Sequence, residues 1–434
     1  MMKRSLAIFL IYGFLSLPAN AEVTMDECRE MARKNHPAIR TYGLIEATRE
    51  CSLSNASRLW LPSIQIGGLA GGYNNPISID DLFASIQGTP TGKLFLNTVI
   101  HGMLNVVNPS PHTYKASAAL NQHILDGGAA TSAKKIAEAE AQVHRAETDV
   151  TLQQVCNRVD EIYFSILLLE KRIMQLESKQ EVLYTAKDRV ASLLESGSAR
   201  SDELDEMDAA CIETEQKKVD MESSLKYFRL ALSLLTGKDL MTDELIIPPA
   251  LPQPQATPQI LLLDNRMNLL ALERDKLNVA VRPHLDLVAD AYYGYPNRNI
   301  FADLVSYSPG ANFFVGLRLS WNLSAFYTRK NNLTIISNSM KRIDVQKDIL
   351  KLDIRLRNNA VDTEMERLQK CLERDDELIS IRKRLRESAE LSYSQGVIDA
   401  SQLISRIDDE FQARLNAEIH GIESLRESYK RTEE

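Results

Sequence analysis

The residues from Ala129 to Leu194 include neither proline nor glycine. Apolar side chains return every seven positions along two adjacent rows. Ile162, Leu169, Leu176, Leu183 and Val190 form one row, and Val159, Ile166 and Ile173 form the other. Alternating three- and four-residue spacing of this kind is the seam of a coiled coil. At 1.5 Å per residue the helix is about 100 Å long, far beyond the average helix of a globular domain. Its charges exclude burial in lipid. The rest of the chain must therefore supply neighbours along a long solvated rod.

Residues 1–21 read as a secretory signal. Lys3 and Arg4 precede an apolar core from Leu6 to Leu17, and Ala19-Asn20-Ala21 offers a small-residue site, with cleavage after Ala21. Its removal takes away two cations and no acid, so the net charge goes from −8 to −10. An acidic chain without a basic run is a poor nucleic-acid binder. After the signal no apolar stretch is long enough for a membrane-spanning helix. Cys28, Cys51, Cys156, Cys211 and Cys371 are odd in number and lack CxxC spacing. Neither a disulfide framework nor a zinc site is indicated, and buried thiols on helix seams are expected.

The pattern along the chain repeats. Val23–Ser57 reads as helix, with Thr24 and Glu27 spaced as a capping box and Pro37 as an interruption. Pro62 opens a glycine-rich strand, and a second strand runs from about Thr113 to Leu125. Asp126-Gly127-Gly128 then turns the chain into the long helix. That helix stops at Ser196-Gly197-Ser198. Ser201 is placed to cap the next one, whose rows are Leu204, Cys211, Lys218, Leu225, Leu232 and Met207, Thr214, Met221, Phe228, Leu235. Two heptad helices joined by a short turn form an antiparallel hairpin. A proline-rich linker at 241–257 separates residues 22–240 from a second copy of the pattern at 258–434. Pro258 and Pro283 stand as far apart as Pro37 and Pro62. Two more strands lead into a second long helix from about Arg329 to Ser392. Gln395-Gly396-Val397 breaks it, and a shorter partner runs from Ala400 to Tyr429. Repetition on this scale sets the architecture.

The strands alternate. Leu285, Leu287, Ala289, Ala291 and Tyr293 oppose His284, Asp286 and Asp290. Phe313, Val315, Leu317, Leu319, Trp321 and Leu323 alternate with residues that are mostly polar or small. Apolar-out, polar-in strands of this length suit a transmembrane barrel wall. An open sheet edge in lipid leaves backbone groups unpaired, and four strands are too few to close. In a membrane, several chains must share one barrel. A soluble sheet attached to a coiled coil gives the same alternation.

Four segments in order resemble the TolC-type outer-membrane efflux proteins, the outer-membrane factors. They are Thr24-Met25-Asp26-Glu27-Cys28 through Lys34-Asn35-His36-Pro37, Leu61-Pro62-Ser63, Leu125-Asp126-Gly127-Gly128, and Tyr393-Ser394-Gln395-Gly396 followed by Leu403. The resemblance covers essentially all of the mature chain. It implies a mainly α fold with a transmembrane β-barrel portion. Internally duplicated helical hairpins would form an α-barrel, and four strands per chain would contribute to a 12-stranded barrel shared by a homotrimer. It implies a Gram-negative outer membrane location with a long periplasmic portion. The function implied is that of a passive exit duct of a tripartite efflux pump or type I secretion system. The partners implied are a periplasmic adaptor (membrane fusion protein), an inner-membrane RND-type or ABC-type transporter and outer-membrane lipid, with no nucleic acid.

The same resemblance makes Gly197, Ser198, Tyr393, Gly396 and Val397 adaptor-docking positions at the hairpin tips. It places Glu387 in the lining of the periplasmic entrance, with Arg384 one turn earlier where a second acid can occur in the family. The connection at 76–111 would be an extracellular loop. Enzyme chemistry is not expected: no HExxH, GxSxG, Walker-type loop or Cys/His constellation occurs, and no cofactor or metal site is indicated. The competing reading is a soluble periplasmic coiled-coil scaffold or adaptor, although an adaptor has one hairpin where this chain has two.

Overall fold

The computed structural model describes residues 22–72, 112–197, 199–250, 257–295 and 309–433. The signal segment, Ser198 and the connection at 76–111 lie outside them. The first copy of the pattern comprises β1 (Glu22–Val23), α1 (Met25–Asn35), a 3-10 turn (Pro37–Arg40), α2 (Thr41–Arg58), β2 (Ser63–Gly72), β3 (His112–Leu125), α3 (Ala129–Glu195) and α4 (Ser201–Thr236). After β4 (Glu244–Leu245), α5 (Pro258–Val279), β5 (His284–Tyr295), β6 (Gly310–Ser320), α6 (Ala325–Ser394) and α7 (Ala400–Ser428) repeat it.

The compact units cut across this repetition. One gathers the chain up to Leu44, His144–Asp264 and Asp344–Glu434; the other gathers Ile45–Val143 and Asn265–Ile343.

The first unit is helical. Val159, Ile166, Leu183 and Val190 on α3 are fully buried, and Ile162 and Leu169 nearly so. The heptad rows are therefore packing seams. On α4, Met207, Cys211, Thr214 and Leu232 are buried. Thr24 caps α1 as its spacing predicts: its hydroxyl accepts from the Glu27 amide at 3.3 Å, and the Glu27 carboxylate accepts from the Thr24 amide at 3.0 Å. The linker is not wholly irregular, because β4 pairs in parallel with β1. Buried Tyr163 fastens both by donating to the carbonyls of Val23 or Ile246, at 2.9 and 2.7 Å. Ser201 is not a cap. It is the first residue of α4, and the capping position belongs to Arg200, which is extended and makes no side-chain cap bond. The Arg200 guanidinium instead donates to Asp202 in the first turn, 2.8 Å from Nε.

The second unit holds a four-stranded antiparallel sheet in the order β2-β3-β5-β6. Register aligns the apolar positions of all four strands on one face. Ile64, Leu120, Ala289 and Val315 form one row, and Ile66, Ala118, Ala291 and Phe313 the next. On the other face Gln65, Ala119, Asp290 and Phe314 share a row, and His123, Asp286 and Arg318 share another. His123 Nδ1 lies 2.6 Å from Asp286 Oδ1. The apolar face is exposed: Ile66 is 86% and Phe313 84% exposed. Among the described residues, β2 and β6 each pair on one side only. The alternation read through Trp321 and Leu323 outruns the strand, which ends at Ser320. Beyond it the Trp321 indole donates to the Val281 carbonyl at 2.9 Å. No helix among the described residues is long and apolar enough to cross a membrane.

Candidate functional site: the tips of the helical hairpins

Two turns link the helices of the hairpins, and both depend on a left-handed glycine. Gly197 has φ 74° and Gly396 φ 72°. A side chain there is strained by about 1 kcal/mol or more. A Cβ built at either position meets nothing within 4 Å, so backbone geometry rather than crowding requires glycine. In the second turn the amides of Gly396 and Val397 donate to the carbonyls of Tyr393 and Ser392, both at 2.9 Å. This closes the end of α6 in the manner of a Schellman turn. Asp399 caps α7 by accepting from the Gln402 amide at 2.9 Å. Val397 projects from the turn, 72% exposed.

Beneath the turns the hairpins pack on each other. Leu183, Val190, Met207 and Cys211 of the first share a buried cluster with Ala389, Tyr393, Leu403 and Ile407 of the second. Tyr393, expected at the docking surface, is buried at 4% exposure. Its hydroxyl donates to Glu203 Oε2 at 2.8 Å, so it ties α6 to the start of α4. Burial, reinforced by the bond to Glu203, pushes its phenol well above the ordinary range and keeps the donor proton in place.

Below Tyr393 lies an ionic cluster that the periodicity did not reveal. Glu410 is buried at 2% exposure. It accepts from Arg386 Nε at 2.5 Å and from Arg414 Nη2 at 2.7 Å. Burial alone would raise its pKa, but the two guanidinium bonds outweigh it and hold the carboxylate below its usual range. Arg386 also pairs with Glu390, which lies 3.9 Å from Arg189 on the other hairpin. The available signal was positional: Glu410 stands seven residues after buried Leu403, where the seam calls for an apolar side chain.

Arg384 and Glu387 are exposed and are not each other's partners. Arg384 Nη1 donates to Ser380 Oγ at 3.1 Å. The cation nearest Glu387 is Lys383, at 4.0 Å, too far for a hydrogen bond. Of the predicted site residues, the structure thus brings Gly396 and Val397 to one turn, sets Gly197 in the other, and assigns Tyr393 to packing. No group of three or more metal-ligating side chains occurs among the described residues.

Residues 29–238 match the sequence model of the outer membrane efflux protein family. Over those residues the chain is similar to that family. The match spans most of the first copy of the pattern; the fold extends the likeness to the second. The structure is similar to that of the outer-membrane channel OprN, with a TM-score of 0.70 at 12% identity, over 94% of this chain and 88% of that one. It is similar to VceC from Vibrio cholerae, with a TM-score of 0.64 at 12% identity, over 94% and 97%. It also resembles the open state of the MtrE channel of Neisseria gonorrhoeae, with a TM-score of 0.62 at 14% identity, over 94% and 88%. No curated protein matches it in sequence.

Proposed function

We propose that this chain is an outer membrane efflux protein, a passive exit duct in the outer membrane of a Gram-negative cell, with its signal removed after Ala21. The observation that carries the reading is the sheet. It bares Ile66, Phe313, Val315, Leu317 and Leu319 on one face, turns His123, Asp286 and Arg318 to the other, and among the described residues leaves β2 and β6 without outer neighbours. In lipid those edges need partners. The strands alternate in direction, so β6 of one copy runs antiparallel to β2 of the next. Three copies then give 12 strands, and their helices an α-barrel. The family and the channel folds it resembles support this assembly.

The duct has no energy source of its own. An inner-membrane transporter of RND or ABC type would drive export, with a periplasmic adaptor meeting the open turns at Gly197, Ser198, Gly396 and Val397. Glu387 lines the closed entrance, with Arg384 one turn away. The test is ion conductance of the purified chain in a planar bilayer. Steady conductance without nucleotide is expected, and a silent bilayer contradicts the reading.

A further inference from the structure

From Gly310 to Ile343 the chain contains no acidic residue, although it is acidic as a whole. Arg329, Lys330, Lys341 and Arg342 fall on the first turns of α6 in this stretch. The corresponding turns of α3 mix Lys134 and Lys135 with Glu138 and Glu140. One side of α6 forms a shallow groove of about 460 Å³ that includes Phe326, Arg329, Lys330, Leu333 and Lys341. Its remaining three residues are neutral and polar. Arg329 is anchored, with Nη2 donating to Asn278 Oδ1 at 2.7 Å, while its Nε is buried without a partner.

The surroundings of this groove are apolar and aromatic. It follows directly on β6, whose bare face includes Phe313, Leu317 and Leu319. Tyr327 is 84% and Trp321 57% exposed beside it. Trp60, the other tryptophan of the chain, is exposed just before β2. Register sets the start of β2 and the end of β6 at the same end of the sheet, the end at which β3 leads into α3. Interfacial aromatics flank the apolar band of a membrane barrel. Cations just beyond such a belt meet lipid phosphates.

We propose that the acid-free start of α6 binds the headgroup of an anionic phospholipid in the leaflet facing the helices. Lys330 and Lys341 contact the phosphate, and Phe326 and Leu333 lie against the glycerol and upper acyl chain. The proposal rests on the membrane reading above.

Trp321 lies just before the site and Trp60 at the same end of the sheet, so indole fluorescence reports on lipid at that level. The full-length protein is reconstituted in vesicles of brominated phosphatidylcholine, which quenches nearby indoles, and unbrominated lipids are titrated in. Phosphatidylglycerol should relieve quenching more effectively than phosphatidylcholine, by about fivefold if one lysine is engaged and about 25-fold if both are. The double variant Lys330→Gln, Lys341→Gln should erase that preference while quenching itself persists. Equal relief by both lipids in the unaltered protein overturns the proposal. So does a preference that survives the double variant, or one that millimolar inorganic phosphate abolishes, which would mark a site for free anions. If brominated lipid quenches neither protein, the sheet is not in the bilayer and the membrane reading itself fails.

Discussion

The Tyr393 hydroxyl donates to Glu203 across the two hairpins at 2.8 Å, one turn beneath Gly396. A hydrogen bond to a carboxylate contributes about 1.5–3 kcal/mol, and this one holds the tips together where the duct is proposed to narrow. Tyr393→Phe keeps the ring in its cluster and removes only the bond. The variant should assemble normally and show a higher resting conductance in planar bilayers. Unchanged conductance would mean that the tips are held by packing alone.

Glu410 gives a prediction with a defined pH dependence. Its folded-state pKa lies below the ordinary value of about 4.5. Its contribution to stability is therefore full above pH 4.5 and is lost as pH falls through the lowered value. Glu410→Gln leaves Arg386 and Arg414 without their shared carboxylate, a loss of about 3 kcal/mol for a buried pair. The thermal midpoint of the variant should lie well below that of the unaltered protein at pH 7, with the gap closing as pH drops below 4.5. A gap independent of pH would contradict this account.

Two glycines separate backbone demand from crowding. At Gly396 alanine is strained but unobstructed, so Gly396→Ala should cost about 1 kcal/mol and leave the fold intact. At Gly294 a Cβ would run into the backbone of Tyr114 and Lys115. Gly294→Ala should break the β3–β5 pairing and abolish membrane insertion. Comparing yields of membrane-inserted protein distinguishes the two. Equal yields would mean that the sheet can shift to admit a methyl group.

The architecture was legible wherever one physical period governs a segment. The α3 rows, the Thr24 capping box and the alternation of β5 each follow from local spacing; Val159, Ile162, Ile166, Leu169, Leu183 and Val190 are buried as the rows predict, while Ile173 and Leu176 are only partly so. What the sequence hid depends on contacts between distant segments. Tyr393 looks like a tip residue from its place beside Gly396, yet the first hairpin packs over it. The Arg386–Glu410–Arg414 cluster joins α6 to α7, and only Glu410's seam position hinted at it. Arg384 and Glu387 were read only from their distance to the tip, and their contacts, to Ser380 and Lys383, are local to α6.

Glu387 tests the proposed entrance. It is exposed, with its nearest cation at 4.0 Å, so Glu387→Ala should leave stability almost unchanged. If three copies converge there, the variant alters conductance and its pH dependence in planar bilayers. The same conductance profile as the unaltered protein would remove Glu387 from the lining.

The central claim is that the four-stranded sheet is closed by further copies of the chain within the outer membrane. The most direct measurement is the size of the protein extracted from membranes with detergent, run on a gel with and without boiling. A membrane-bound species of three chains that collapses to one on heating is the predicted result. A wholly soluble periplasmic monomer would contradict it.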